Sequence, residues 1–486
     1  MTSIQEASAA SSKAEQKLIA DAPQFDVHKW SNYPEINAAV NSIFNEIATL
    51  RKSRGIRIRE ADKVKRSIKV IIMDLWAAAK LSTNPYRAVS LNKSNYAKET
   101  RYKKIFLKYD YFSSAIQDLK HLKYIFLAPG FYNKADPKKS RVSRIKATPA
   151  LIDKILNPEY GVDVLVATKG KMVLAESNPE LRRECIILRD KGDDDDKFNI
   201  DYEDTENTIL MRENIHKLND RLAESRISLR ITANQYDEML TALSAKKRRK
   251  GYVDFTKNTM HRVFNNNSFE QGGRFYGVWW QSIPKEYRKY IDINHKETVE
   301  LDYSGHHFRI LYAMEGLTPP DDPYDLQEFS REDQKIAALI MINASDLDGA
   351  VRAIAGEGVR GASSLIKALK VRHSLIEKYF FTGIGNTLMY KDSVLAESVM
   401  LRMLGRGAAV LTMHDSFIVR NSYDDELEEI MNEEFEKAFG NKAKLKYKKT
   451  LGEERLEFQG VRESPFVNFK LEEYLQEISW ERSIWG

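Results

Sequence analysis

Residues Thr298–Gly316, TVELDYSGHHFRILYAMEG, switch hydrophobic period in mid-run, and few architectures accommodate that switch. Val299 and Leu301 alternate with Glu300 and Asp302 as on a strand. At Tyr303-Ser304-Gly305 the pattern turns, and Phe308, Leu311, Tyr312 and Glu315 follow at helical spacing. Asp302 therefore ends a strand just before a helix, where the backbone is rigid and the carboxylate faces open space. About a hundred residues later, Val410–Val419 is apolar on both sides of His414-Asp415-Ser416, the pattern of a β-hairpin with the polar triplet at its tip. If both segments join one sheet, Asp302 and Asp415 can share a pair of divalent cations, which is what two-metal phosphoryl transfer requires.

The chain is 486 residues long, enough for two or three domains. Nothing in it reaches the ~18 apolar residues needed to cross a bilayer, and the polar N-terminus lacks a signal peptide's apolar core. A soluble, cytoplasmic protein without a membrane partner is expected. The single cysteine, Cys185, excludes an internal disulfide and a Cys-based zinc cluster. The net charge is +6, with basic clusters at Arg51–Arg59, Arg101–Lys108, Lys138–Lys146 and Lys246–Lys250 and an acidic run at Asp193–Asp196. Such clusters suit a polyanion partner, although any one of them can be a solvated face.

Residues 1–25 read as a disordered tail. Within 60–157, Val64, Ile68, Ile71, Leu75 and Trp76 mark one helix, and Phe112, Ile116, Leu119 and Leu122 mark a second over Tyr111–Lys123. A strand at Tyr124–Leu127, a basic loop, a strand at Arg141–Ile145 and a helix at Pro149–Leu156 complete an order that resembles winged-helix DNA-binding domains. That likeness makes Tyr111–Lys123 a recognition helix and places Lys138, Lys139, Arg141 and Arg144 on a wing against phosphates. A small helical domain with a surface hairpin is the plainer alternative. Residues 158–250 form a connector, with a mixed stretch at Val162–Phe198, and then two helices, Thr205–Glu224 and Tyr236–Ala245. These are either an ordinary helical hairpin or a thumb-like grip on a duplex backbone.

Ahead of Asp302 stand Gly272-Gly273-Arg274-Phe275-Tyr276, Gln281-Ser282-Ile283-Pro284 and Arg288. The glycines permit close backbone approach, and the aromatics offer stacking surface or core. Taken in order with Leu301-Asp302-Tyr303-Ser304 and His414-Asp415, these motifs resemble those of family A DNA polymerases. They are equally similar to the single-subunit RNA polymerases of phage and mitochondrial type, whose His-Asp-Ser-Phe matches His414–Phe417. The likeness covers residues 265–420 only.

The resemblance implies an α+β right-hand polymerase: an antiparallel palm and compact fingers over 251–486, beside the winged-helix-like module. Asp302 and Asp415 would be catalytic and, with the Tyr303 carbonyl, would hold two Mg²⁺ ions, with Mn²⁺ a possible replacement. Arg331 and Lys335, four apart and so on one helix face, would grip the incoming nucleoside triphosphate. His307 and Asn343 occupy the positions that contribute to sugar choice, and both differ from the residues those families carry there. Arg274, Gln281, Arg288, Tyr390 and His414 would meet the DNA template–primer, together with Lys139, Arg141 and Arg144 of the wing. His306 and His307 have no third residue spaced to complete a metal site. Arg309 reads as a structural cation. DNA synthesis is favoured, in a replication or mobile-element setting, with RNA polymerase or primase activity next. A non-catalytic DNA-binding replication protein with a degenerate palm is the rival from another class.

Overall fold

The computed structural model describes residues 15–30, 34–97, 100–102, 107–136, 139–155, 183–192, 197–245 and 252–448. The fold mixes helices with largely antiparallel sheets. In the N-terminal module, helices α1 (Pro34–Ser53), α2 (Ala61–Leu81) and α3 (Tyr109–His121) bury their apolar stripes against one another, with Ile47, Ile68, Trp76 and Phe112 in the shared core. Strands β1 (Arg87–Val89), β2 (Ile125–Ala128) and β3 (Ser143–Ala147) form an antiparallel sheet in the order β1-β3-β2, and α4 (Pro149–Ile155) follows. The expected helix–strand–strand–helix order is present, but the module takes in more chain than 60–157, because α1 belongs to its core.

The expected tail 1–25 is partly built into this module. Residues 15–20 form a helical turn, and Phe25 N–H donates to Ala88 O at 2.9 Å. Arg144 also departs from expectation. It is buried, with Nε on Ile19 O at 2.9 Å and Nη1 on Val142 O at 2.7 Å, so it secures that N-terminal segment and faces no phosphate. Arg141, by contrast, lies over the exposed Phe131 ring, and Lys139 is exposed beside Asp136. Lys138 lies outside the described residues.

Past residues 156–182, which are not described, β4 (Ile186–Lys191) and β5 (Lys197–Asn199) join a later hairpin in a four-stranded sheet, with β4 parallel to its central partner. Helix α5 (Glu206–Ala223) begins at a capping box on Thr205 and Thr208. Strand β6 (Ile227–Leu229) and helix α6 (Ala233–Ala245) follow. Met211, Ile215 and Leu218 of α5 and Met239 and Leu243 of α6 lie in the same core as the sheet that carries Asp302. The Lys246–Lys250 and Asp193–Asp196 runs lie outside the described residues.

The remaining elements build two layers around the cleft. Strands β7 (His261–Asn265) and β8 (Ser268–Tyr276) pair as a bulged hairpin. Strand β9 (Ile291–Ile293) leads into β10 (Lys296–Tyr303), and α7 (His306–Met314) departs from its end. A helical insertion follows, α8 (Arg331–Asn343), α9 (Leu347–Gly356) and α10 (Ala362–Arg372), and it closes its own core with α7 through Phe308, Leu311, Met341 and Ile366. The long helix α11 (Gly385–Gly405) then runs back beneath β8 to a hairpin of β11 (Leu411–Thr412) and β12 (Ser416–Arg420). Helix α12 (Asp424–Phe439) and strand β13 (Leu445–Lys448) finish the described chain. Strand order is β11-β12-β10-β9-β6, with β13 also on β10. No described helix is long and apolar enough to cross a membrane.

Candidate functional site

The period switch at Asp302 takes the form expected of it. On β10, Leu301 and Tyr303 turn into the core, where the Tyr303 hydroxyl donates to Met431 O at 2.7 Å, while Glu300 and Asp302 share the opposite face. Gly305 starts α7 at φ 62°, and a Cβ there would come within 2.8 Å of Pro323 Cγ, so only glycine makes this turn without strain. Arg309 braces the loop by donating to Ser304 O and Asp321 O, both at 2.9 Å, the structural role anticipated for it.

Strand β12 pairs antiparallel with β10, Ser416 opposite Asp302, so Asp415 stands at the edge of the same ladder. The Tyr303 N–H donates to Asp415 O at 3.2 Å, and the hairpin closes with Met413 N–H on Ser416 O at 2.8 Å. Its first turn residue, His414, has φ 71°, a left-handed conformation costing roughly 1–3 kcal/mol for a residue other than glycine. Such strain persists where the surroundings hold it, and here the His414 ring packs edge-on against Tyr276 with centroids 5.3 Å apart.

Asp415 feels its buried setting and the carboxylates around it. Burial raises the Asp415 carboxyl first, then the negative charges of Asp392 and Asp302, and together they push it up to about 6. Asp392 lies with Tyr390 on the Asn386–Glu397 stretch where the resemblance implies primer–template contact, yet it is buried and organises the floor of the site instead. From the middle of α11 its Oδ2 accepts from Arg274 Nε at 2.6 Å and its Oδ1 lies 3.0 Å from His306 Nε2. Burial would raise this carboxyl, but Arg274 and His306 hold it well below the usual range. The His306 ring stacks on Tyr303, centroids 5.0 Å apart, and Arg274 Nη2 donates to His307 Nε2 at 3.1 Å. Burial and the neighbouring Arg274 drive His307 down to about 3, so its imidazole is a neutral acceptor at pH 7. Burial likewise pushes His414 down to about 4.

Gly273 explains how Arg274 reaches Asp392. Its φ is 77°, and a Cβ there would lie 2.8 Å from both Phe264 Cε1 and Ser393 Oγ, so β8 runs against α11 with no room for a side chain. Arg262 fastens the bulge, donating to Gly273 O, Ser393 Oγ and Glu397 at 2.6–2.9 Å.

Across from the carboxylates, α8 begins at an N-cap in which Ser330 Oγ accepts from Asp333 N–H at 3.0 Å. Arg331 and Lys335 lie on the face that looks into the cleft, followed by Leu339 and Ile342. Arg331 is paired with Asp322 and lies over the Tyr324 ring. The cleft holds about 360 Å³ and is lined by Arg274, Asp302, Tyr303, His307, His414 and Asp415, among others. Most of the expected cluster is thus brought together around one opening.

Four expected contacts are placed elsewhere. Asn343 is turned along its own helix, Nδ2 on Leu339 O at 2.7 Å, and does not line the cleft; Leu339 and Ile342 do. Gln281 donates from Nε2 to Phe275 O and Thr412 O at 3.0 and 3.2 Å, tying its loop to the β11–β12 hairpin. Arg288 pairs with Glu300 at 3.6 Å, and Glu300 also accepts from Ser416 Oγ at 2.7 Å, so these residues brace the sheet under the site. Tyr390 packs against the central core. Among the described residues no group of three or more His, Cys, Asp or Glu is arranged to hold a metal. The protein's donors at the cleft are the two carboxylates and nearby backbone carbonyls, oxygen ligands suited to Mg²⁺, which ordinarily keeps water or phosphate in its remaining positions. No protein-family model matches this chain, and no curated protein matches it.

Proposed function

We propose that this protein is a template-dependent nucleotidyltransferase extending a nucleic-acid strand, with DNA synthesis favoured. The observation that carries this is the pairing of β10 with β12, which sets Asp302 beside Asp415, across one cleft from Arg331 and Lys335. Asp302 and Asp415, with the Tyr303 carbonyl, would hold two Mg²⁺ ions, or Mn²⁺ in their place. Bound there, the metals would supply acidification of the primer 3′-hydroxyl and neutralisation of triphosphate charge. Arg331 would exchange Asp322 for a phosphate oxygen, and Lys335 would meet the same triphosphate. Neutral His307, fixed by Arg274, would stand where the sugar rests. The Asp302 sheet is then the palm, the α8–α10 insertion the fingers, and the N-terminal module a winged-helix-like DNA contact.

The test is extension of a primed DNA template by the full chain, with dNTPs against rNTPs in Mg²⁺ and in Mn²⁺. Incorporation of dNTPs is expected. Incorporation of rNTPs alone would make the enzyme an RNA polymerase or primase, and none under either metal would favour the non-catalytic DNA-binding alternative. Arg331→Ala and Lys335→Ala should each lower kcat/KM for the nucleotide about ten- to a hundredfold, the loss of one charge-assisted contact. On the N-terminal module, Phe131, with Arg141 over its ring, and the adjacent Tyr132 are exposed, aromatic surface suited to unstacked bases. Tyr132→Ala should weaken single-stranded DNA binding about fivefold or more in a fluorescence titration, without moving the unfolding midpoint.

A further inference from the structure

Strand β10 has a neighbour on each side at Asp302. On one side stands β12, with Ser416 opposite and Asp415 next; on the other stands β13, with Lys446 opposite. Directly opposed residues of antiparallel strands project from the same face with Cβ atoms about 5 Å apart. Lys446 therefore shares the carboxylate face of the sheet, and it lines the same cleft. Its neighbours on that edge are engaged: Lys444 Nζ holds Asp321 at 2.6 Å, and the Tyr447 hydroxyl bonds Glu428. Lys446 is exposed and makes no ion pair or hydrogen bond among the described residues. Lys285, just after Pro284, also lines the cleft. Across the sheet the order is thus Asp415, Asp302, Lys446, with Lys335 facing them from α8. A single phosphate fills little of 360 Å³; a cleft with an ammonium group beside Asp302 on the sheet and another on the facing helix suits a longer polyphosphate.

We propose that Lys446, assisted by Lys285, is the sheet-side contact for the β- and γ-phosphates of the nucleotide and for the pyrophosphate that leaves. This rests on the nucleotidyltransferase function proposed above. In that reaction the primer 3′-oxygen bonds to the α-phosphorus and gives its proton to water. The bond from the α-phosphorus to the bridging oxygen breaks, and that oxygen departs with its electron pair on pyrophosphate. Lys446 stays protonated throughout and offsets the charge gathering on the leaving group.

The experiment compares wild type, Lys446→Ala and Lys446→Arg as full chains, by calorimetric binding of magnesium tripolyphosphate and by pyrophosphate inhibition of primer extension. Lys446→Ala should weaken both about ten- to a hundredfold, and Lys446→Arg should recover most of the loss, with the unfolding midpoint unchanged in both. Retention of wild-type affinity by Lys446→Ala overturns the proposal, as does a wild type that binds no tripolyphosphate. Lys446-dependent tripolyphosphate binding in a protein that incorporates no nucleotide upholds the polyphosphate site while ending the polymerase assignment.

Discussion

Asp302→Asn and Asp415→Asn are each expected to cut nucleotide incorporation by at least about a thousandfold while leaving DNA affinity little changed. The substitution preserves shape and removes only the charge and one strong metal-binding oxygen. The strands that position these residues are held by the β10–β12 and β10–β13 ladders and by Tyr303 in the core, none of which depends on the carboxylates. Asp415→Asn should also act in the opposite direction on stability. Folding raises this carboxyl from 3.8 to about 6, so the folded state takes up a proton at a higher pH than the unfolded chain does. Its contribution is therefore unfavourable above pH 6, by up to about 3 kcal/mol, and fades as the pH falls from 6 towards 4. The metal-free Asp415→Asn variant should unfold at a higher temperature than wild type at pH 7.5, and the gain should vanish at pH 4. Residual synthesis well above background in both asparagine variants would remove the carboxylates from the chemistry. A wild-type midpoint in the pH 7.5 comparison would show that Asp415 is not under the strain its neighbours impose.

What could be read from the sequence was local. The period-two alternation before Asp302, the helical spacing after it and the polar tip at His414–Ser416 each lie within a dozen residues, and short-range spacing is what one sequence records well. The Arg331–Lys335 face was legible for the same reason, because one helical turn fixes it. Partner choice was not legible. Arg144 and Arg141 lie three apart in the same basic run, yet one is buried on Ile19 O and the other rests on an exposed ring, and only the packing of a distant N-terminal segment separates them. Arg288 and Gln281 looked like nucleic-acid contacts because their charge and amide were counted without their neighbours Glu300 and Thr412. Asp392 left a faint trace, an acid on the helix side shared with Leu388, Leu395 and Val399, which is costly unless paired. Its partners, Arg274 and His306, lie about a hundred residues upstream. Lys446 left none, because only the pairing of β13 with β10 sets it beside Asp302.

Asp254→Ala is expected to destabilise the protein by about 3–5 kcal/mol, the largest loss of any single substitution argued from this fold. Asp74 and Arg87 of the N-terminal module, with Lys29 beside them, meet Asp254 of the central body in a buried four-charge cluster, all 5% exposed or less. Arg87 Nη2 lies 3.1 Å from Asp254 Oδ2 and Lys29 Nζ 3.7 Å from it, while Asp74 Oδ1 receives Lys29 at 2.8 Å and Arg87 at 3.3 Å. Burial alone would raise the Asp254 carboxyl, but Lys29 and Arg87 hold it below its ordinary value of 3.8. Asp254's contribution is therefore full above that pH and is lost only as acid passes below it. Removing Asp254 leaves the buried Lys29 and Arg87 with Asp74, and Asp26 close by, as their remaining carboxylates, one negative charge short of the match they had. The cluster also joins the two parts of the chain, alongside Thr83 N–H on Val253 O at 3.0 Å. Loss should therefore appear first as detachment of the N-terminal module, seen as faster amide hydrogen exchange in β1 around Arg87, and then as a lower denaturation midpoint. A double variant, Arg87→Met with Asp254→Leu, should be more stable than Asp254→Ala, because it removes an opposed pair and leaves Lys29 matched to Asp74. If the double variant loses as much as the two single substitutions added together, the charges are uncoupled and the interface is held by its backbone bonds and apolar contacts instead.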